Sequence, residues 1–247
     1  MLVQTSTVDI PVAGGKAMRL FVASPKPQGE NYAGVLFYSD IFQLTPVMLR
    51  ASVRLAGYGF VVAAPEIYHR LEPAGTAIAF DDAGRERGMS NAMNTSIAEF
   101  DADAKATLEY LAAHPQVGKG KLGAAGFCIG GHLAFRAAMN AEVKATVCFY
   151  GTGIHNGKLG KDTDAGSLQE AARIKGELLM IFGTADPHVP AEGRLIVEAG
   201  LVHADVKHRI SLYPAEHAFM RDEGPRFDPE SADLAFAEMI ALFRNTF

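Results

Sequence analysis

The chain has 247 residues, 49% of them hydrophobic and 21% charged, with a formal net charge of −5. That balance describes a globular protein with a sizeable core, at a length usual for one α/β domain. It excludes a nucleic-acid partner, since no stripe of Lys and Arg appears, and a membrane span, since no run of about 18 uncharged apolar residues appears.

The opening M-L-V-Q-T-S-T-V-D-I lacks the basic start and apolar run of a signal peptide. The two cysteines, Cys128 and Cys148, show no C-x-x-C and no zinc-type spacing. No disulfide framework and no metal site is expected, and the setting implied is reducing and cytoplasmic. Cys148, inside an apolar run, reads as core.

In chain order, Val8–Val12 and Ala17–Ser24 read as strands of a hairpin turning at Gly14-Gly15. Pro25–Asn31 reads as a loop. Ala33–Tyr38 is a continuous apolar run, suited to a strand buried on both faces of a parallel sheet. Thr45–Ala56 has helical spacing and Gly57 follows it. Phe60–Ala64 is the next buried strand, stopped by Pro65.

Glu66–Asn94 breaks the rhythm and reads as a long irregular insertion, a kind of segment that is often functional. Thr95–His114 reads as an amphipathic helix with Ile97, Phe100, Ala104, Leu108 and Leu111 on one face. An apolar strand from Lys121 leads into a helix over Ile129–Asn140. Lys144–Tyr150 is a strand and Gly151–Gly166 a loop. Glu177–Phe182 is a strand, and Ala191–Ala199 a helix that Gly200 should end. Lys207–Tyr213 is a strand, Pro214–Pro229 a loop, and Glu230–Phe243 a closing helix. Strand and helix alternate from residue 33 onward. The expected fold is α/β: a mainly parallel central sheet of about eight strands with helices on both faces.

In such sheets the active site lies at the carboxyl ends of the strands. Gly126-Phe127-Cys128-Ile129-Gly130 falls there as G-x-C-x-G, the nucleophile-elbow pattern G-x-S-x-G with sulfur for oxygen. The glycines let strand and helix pack closely around a strained central residue. The N-terminus of the next helix then favours a thiolate and an oxyanion. Asp186 follows a strand in G-T-A-D-P-H-V-P, and His217 follows the next strand in P-A-E-H-A-F-M-R. Nucleophile, acid, histidine is the chain order of the α/β-hydrolase triad. Cys128 needs a base to hold its thiolate, and His217 needs Asp186 to fix its tautomer. The oxyanion donors expected are the backbone N–H groups of Ile129 and of Ile41, in the loop after an early strand. His132, four residues past the elbow, reads as packing, and His188 as a loop residue. Asp186, His188 and His217 lack a recognisable metal-ligand spacing.

These marks, with S-D-I-F-Q after the early strand and G-Y-G-F-V-V-A-A-P-E-I-Y, make nearly the whole chain resemble the dienelactone hydrolase (carboxymethylenebutenolidase) family of α/β-hydrolases. The resemblance implies one α/β-hydrolase domain over residues 1–247. It implies a hydrolase that cleaves a lactone or small carboxylate-bearing ester through a Cys-His-Asp triad, with no cofactor. It also implies arginines that hold the substrate carboxylate: Arg221, four residues past the histidine, and Arg87 or Arg85 in the insertion. A guanidinium fork suits that task. Where the family's early-strand motif has Glu, this chain has Asp40, one methylene shorter. Asp40 then either reaches Cys128 to ready the thiol, or reaches the oxyanion loop or an arginine instead. A small anionic substrate and a monomer are expected. A carboxylesterase or thioesterase of the same fold, or a non-catalytic ligand-binding or redox-sensing member using Cys128, are the rival readings.

Overall fold

A computed structural model describes residues 1–26, 31–162 and 164–247. Part of the expected Pro25–Asn31 loop, residues 27–30, lies outside them, as does residue 163 of the expected Gly151–Gly166 loop.

The described strands are β1 (Val3–Ile10), β2 (Met18–Pro25), β3 (Tyr32–Tyr38), β4 (Phe60–Pro65), β5 (Val117–Phe127), β6 (Val143–Phe149), β7 (Glu177–Gly183) and β8 (His208–Tyr213). They form one eight-stranded sheet in the order β1-β2-β4-β3-β5-β6-β7-β8. β1 and β2 are antiparallel, as are β2 and β4, and every other pairing is parallel. The helices are α1 (Pro46–Gly57), α2 (Asp82–Asn94), α3 (Ile97–Ala113), α4 (Ile129–Ala137), α5 (Ala191–His203) and α6 (Pro229–Thr246).

Strand alternation divides the core into two layers. On β3, Leu36 and Tyr38 join a cluster with Phe100 and Leu108 of α3, Leu133 of α4 and Val197 of α5. Val35 and Phe37 join the opposite cluster with Leu55 of α1 and Phe236, Met239 and Phe243 of α6. Both faces of the parallel strands are thus covered, which is why those strands read as unbroken apolar runs.

Three expectations are corrected. The first strand covers Val3–Ile10, not Val8–Val12: it is an edge strand with most of its side chains exposed, so it carries no apolar signature. Gly14 and Gly15 do form the connection, both at positive φ.

The insertion is not irregular throughout, because α2 occupies Asp82–Asn94. Asp81 caps it through the Gly84 N–H at 2.7 Å. Its buried face is Gly84, Gly88 and Ala92, small residues every fourth position instead of a large apolar stripe. A Cβ on Gly88 would lie 2.4 Å from the Ile41 carbonyl oxygen, so smallness permits the contact.

Gly200 does not end α5, which runs on to His203. A Cβ on Gly200 would lie 2.5 Å from Leu168 Cγ, so this glycine serves close packing and not termination.

Residues 66–81 are tied down by named bonds. Arg70 forks onto Asp103 of α3 at 2.8 Å twice, Glu66 accepts the Gly75 N–H at 2.8 Å, and the Ile78 N–H reaches the Phe42 carbonyl at 3.1 Å. α3 itself starts with a Ser96–Glu99 capping box.

Candidate active site

Because β3 to β8 are parallel, their carboxyl ends share one edge of the sheet. β5, near the centre, ends at Phe127, and α4 begins at Ile129. Cys128 between them has φ 58° and ψ −120°, a strained conformation for a residue with a Cβ. The turn has no spare room. A Cβ on Gly126 would lie 2.0 Å from the Gly130 carbonyl oxygen, and one on Gly130 would lie 2.2 Å from that of Ser39. The second contact sets the Ser39–Phe42 loop directly against the elbow. Among the described residues, the N–H groups of Ile41 and Ile129 are not spent in turn or loop hydrogen bonds.

His217 lies in the loop after β8 and Asp186 in the turn after β7. His217 Nδ1 donates to Asp186 Oδ2 at 2.7 Å, and both residues are buried. Asp186 Oδ1 accepts the His188 N–H at 2.7 Å and the Val189 N–H at 3.3 Å. Burial opposes charge on Asp186, but the His217 bond and the His188 N–H hold its carboxyl below the usual range. Burial likewise opposes charge on His217. The neighbouring Cys128 sulfur and the Asp186 bond outweigh it and raise His217 from 6.5 to about 9. Imidazole and carboxylate are hydrogen-bonded to each other at the strand ends beside the elbow.

Around it stand Tyr150, whose ring meets the His217 ring edge-on at 5.0 Å, and His188, which does the same at 4.6 Å. His188 is a loop residue, as its sequence context implied, but its ring faces His217. His132 packs in the core with both ring nitrogens engaged, by the Thr152 carbonyl at 2.9 Å and Ser167 Oγ at 2.7 Å, and burial lowers it to about 3. Cys148 is fully buried, and burial pushes its thiol up.

Asp40 takes the second of the courses left open by its length. Its Oδ1 accepts the Phe42 N–H at 2.9 Å and its Oδ2 accepts Arg221 Nη2 at 2.5 Å. Arg221 lies over the rings of Phe80 at 4.3 Å and Phe42 at 4.9 Å. A cavity of about 190 Å³, lined by Phe42, Val47, Ile78, Phe80 and Arg221, opens beside it.

The structure does not bring the insertion arginines to this cluster. Arg87 is bound to Glu72 through Nε at 2.8 Å, a carboxylate that also accepts Asn91 at 2.6 Å. Arg85 is exposed and lies 3.7 Å from Asp82. Helix formation over Asp82–Asn94 and the buried Glu72 decide this, and neither was visible in the sequence. Sequence reasoning also missed Tyr150, which follows β6 and meets the His217 ring; the strand-end rule would have found it had it been applied to uncharged side chains.

A mainly parallel sheet covered on both faces, with a strained strand-to-helix turn after a central strand and Asp and His after later ones, defines an α/β-hydrolase. Within that class the chain belongs to the dienelactone hydrolase family, whose sequence profile matches residues 18–247. A Saccharomyces cerevisiae protein provisionally named carboxymethylenebutenolidase is 35% identical over 230 residues, covering 90% of this chain and 84% of the relative. The carboxymethylenebutenolidase of Pseudomonas sp. strain P51 is 28% identical, covering 85% and 84%. A crystal structure of a Klebsiella pneumoniae protein, provisionally named dienelactone hydrolase, superposes with a TM-score of 0.86 at 24% identity over 99% of both chains. That likeness shows the fold.

Proposed function

We propose that this chain hydrolyses a lactone or small ester bearing a carboxylate, with Cys128 as nucleophile, His217 as base and Asp186 as the group that orients it. The observation that carries the reading is the His217–Asp186 bond of 2.7 Å beside a cysteine held at φ 58°. The Cys128 thiol passes its proton to His217, not to Asp40, whose carboxylate is engaged by Arg221 and the Phe42 N–H. The thiolate adds to the carbonyl carbon, and the Ile41 and Ile129 N–H groups hold the oxyanion. The ring C–O bond breaks, and the leaving oxygen takes the His217 proton, which leaves the imidazole neutral for the next step. Water then adds to the thioester as His217 accepts its proton, and the acid is released with the thiol restored. Arg221 is the anchor for the substrate carboxylate, which competes with Asp40 for the guanidinium. Arg85 and Arg87 have no part in this reading. The substrate is a small anion, and the enzyme acts as a cytoplasmic monomer.

The test is turnover of a dienelactone beside p-nitrophenyl acetate, by wild type, Cys128→Ser and Arg221→Ala. Efficient lactone turnover, lost in the first variant and weakened through KM in the second, supports the proposal. Turnover of the acetate alone would move the enzyme to neutral esters or thioesters, substrates that leave the Asp40–Arg221 pair undisturbed. Wild-type rates in Cys128→Ser would remove the mechanism.

A further inference from the structure

The His217 imidazole has a second imidazole against it. The rings of His188 and His217 meet edge-on with centroids 4.6 Å apart, and the Tyr150 ring meets His217 in the same way at 5.0 Å. His188 is exposed, yet its place is not loose. Pro187 precedes it and Pro190 lies two residues on, each with φ fixed by its own ring. The N–H groups of His188 and of the buried Val189 donate to Asp186 Oδ1, at 2.7 Å and 3.3 Å. The other oxygen of that carboxylate takes His217 Nδ1 at 2.7 Å. One side chain thus holds both histidines, the first by its backbone and the second by its ring. Among the described residues, the His188 ring enters no hydrogen bond or ion pair of its own, and its ring contact is with His217.

Charge decides what that contact is worth. A neutral ring edge-on to a cationic one attracts it, and two cationic rings repel each other. His217 is the cation of the pair, raised to about 9 by surroundings that include the Asp186 bond and the Cys128 charge at the elbow. Partial burial and then the His217 charge hold His188 below its ordinary 6.5, against the pull of Asp186. Arg226, from the loop before α6, adds positive charge toward His188 and is itself paired with Glu216 at 3.2 Å. Tyr150, from the end of β6, faces His217 and stays uncharged, since burial raises its phenol well above 10.

We propose that His188 is a positioning residue for His217: its neutral ring, together with Tyr150, braces the imidazolium, and a proton on His188 undoes the brace and sets a lower pH limit on turnover. The proposal rests on reading His217 as the base. His188 touches no reacting atom and passes no proton. Once charged, it is repelled by His217 and Arg226 and has open water to turn into.

The test follows the imidazole Cε1–H signals of His188 and His217 by NMR from pH 4 to 10, without substrate, in wild type, His188→Ala, His188→Phe and His217→Gln. The ring contact is worth about half a pH unit, or threefold, and the repulsion of two charges at this separation about one unit. In His188→Ala the His217 titration should therefore fall by about half a unit, and in His188→Phe, which keeps a ring, it should stay in place. In His217→Gln the His188 titration should rise by about one unit. On p-nitrophenyl acetate, His188→Ala should lose about threefold in kcat with KM little changed. His188→Phe should match wild type above pH 7 and exceed it at pH 5. Tm should hold in both, because the N–H bond to Asp186 is kept. A wild-type His217 titration in His188→Ala overturns the proposal, and so does a His188→Phe that behaves as His188→Ala. A lowered Tm with the His217 titration unmoved would make His188 structural only and would also overturn it. The titrations use no substrate. An enzyme that ignores lactones would sink the functional reading while they still decide the role of His188.

Discussion

Replacing Asp186 by Asn tests whether the carboxylate acts by choosing the His217 tautomer. Asp186 Oδ1 accepts two backbone N–H groups, from His188 and Val189, while Oδ2 faces His217 Nδ1 at 2.7 Å. An amide has one acceptor end. Turning its NH2 toward the two N–H groups would leave buried donors unpaired, at about 1–3 kcal/mol each. The amide oxygen therefore keeps the Oδ1 place and the NH2 faces Nδ1. His217 must then accept at Nδ1 and carry its proton on Nε2, where it can no longer take one from the thiol. The same change in a serine triad costs about 10⁴-fold in kcat. A thiol is more acidic than a hydroxyl and recovers part of this, so a loss of about 10²–10⁴-fold is expected. That corresponds to about 2.7–5.4 kcal/mol. The assay is kcat/KM on a chromogenic ester from pH 5 to 10, with Tm as the control for folding. A loss below tenfold with the wild-type pH limb would refute the tautomer argument.

Three further outcomes follow from the geometry. Cys128→Gly should abolish turnover yet raise stability by about 1 kcal/mol, the strain of φ 58° relieved less the entropy of glycine; a lower urea midpoint would count against strain at the elbow. Stability should fall as pH rises from 6.5 to about 9, because folded His217 binds its proton more tightly than the unfolded chain does over that range; the contribution is complete below 6.5, and a urea midpoint unchanged between pH 6 and 9.5 would contradict it. Glu72→Ala should release Arg87 and Asn91 and speed amide exchange across Asp82–Asn94, at a cost of about 1–2 kcal/mol. Unaltered exchange there would show that the glycine contacts alone hold the helix.

The α/β alternation was legible because parallel strands buried on both faces must be apolar throughout, and the helices between them must carry a stripe. The elbow was legible because a turn with 2.0 Å and 2.2 Å Cβ approaches tolerates only glycine at residues 126 and 130. Asp186 and His217 could be placed at neighbouring strand ends from chain order. Their 2.7 Å bond is a fact of the tertiary structure. Other features had no local signature. α2 packs through Gly84, Gly88 and Ala92, so it lacks the apolar period that marks most helices. Arg87 and Arg221 look alike in sequence. Only the fold gives one to Glu72 and the other to Asp40 and two aromatic rings, because each pairing joins residues far apart along the chain. The Tyr68 hydroxyl, buried without a hydrogen-bond partner among the described residues, is of the same kind. An unpaired hydroxyl is defined by everything packed around it, and no window of sequence contains that information.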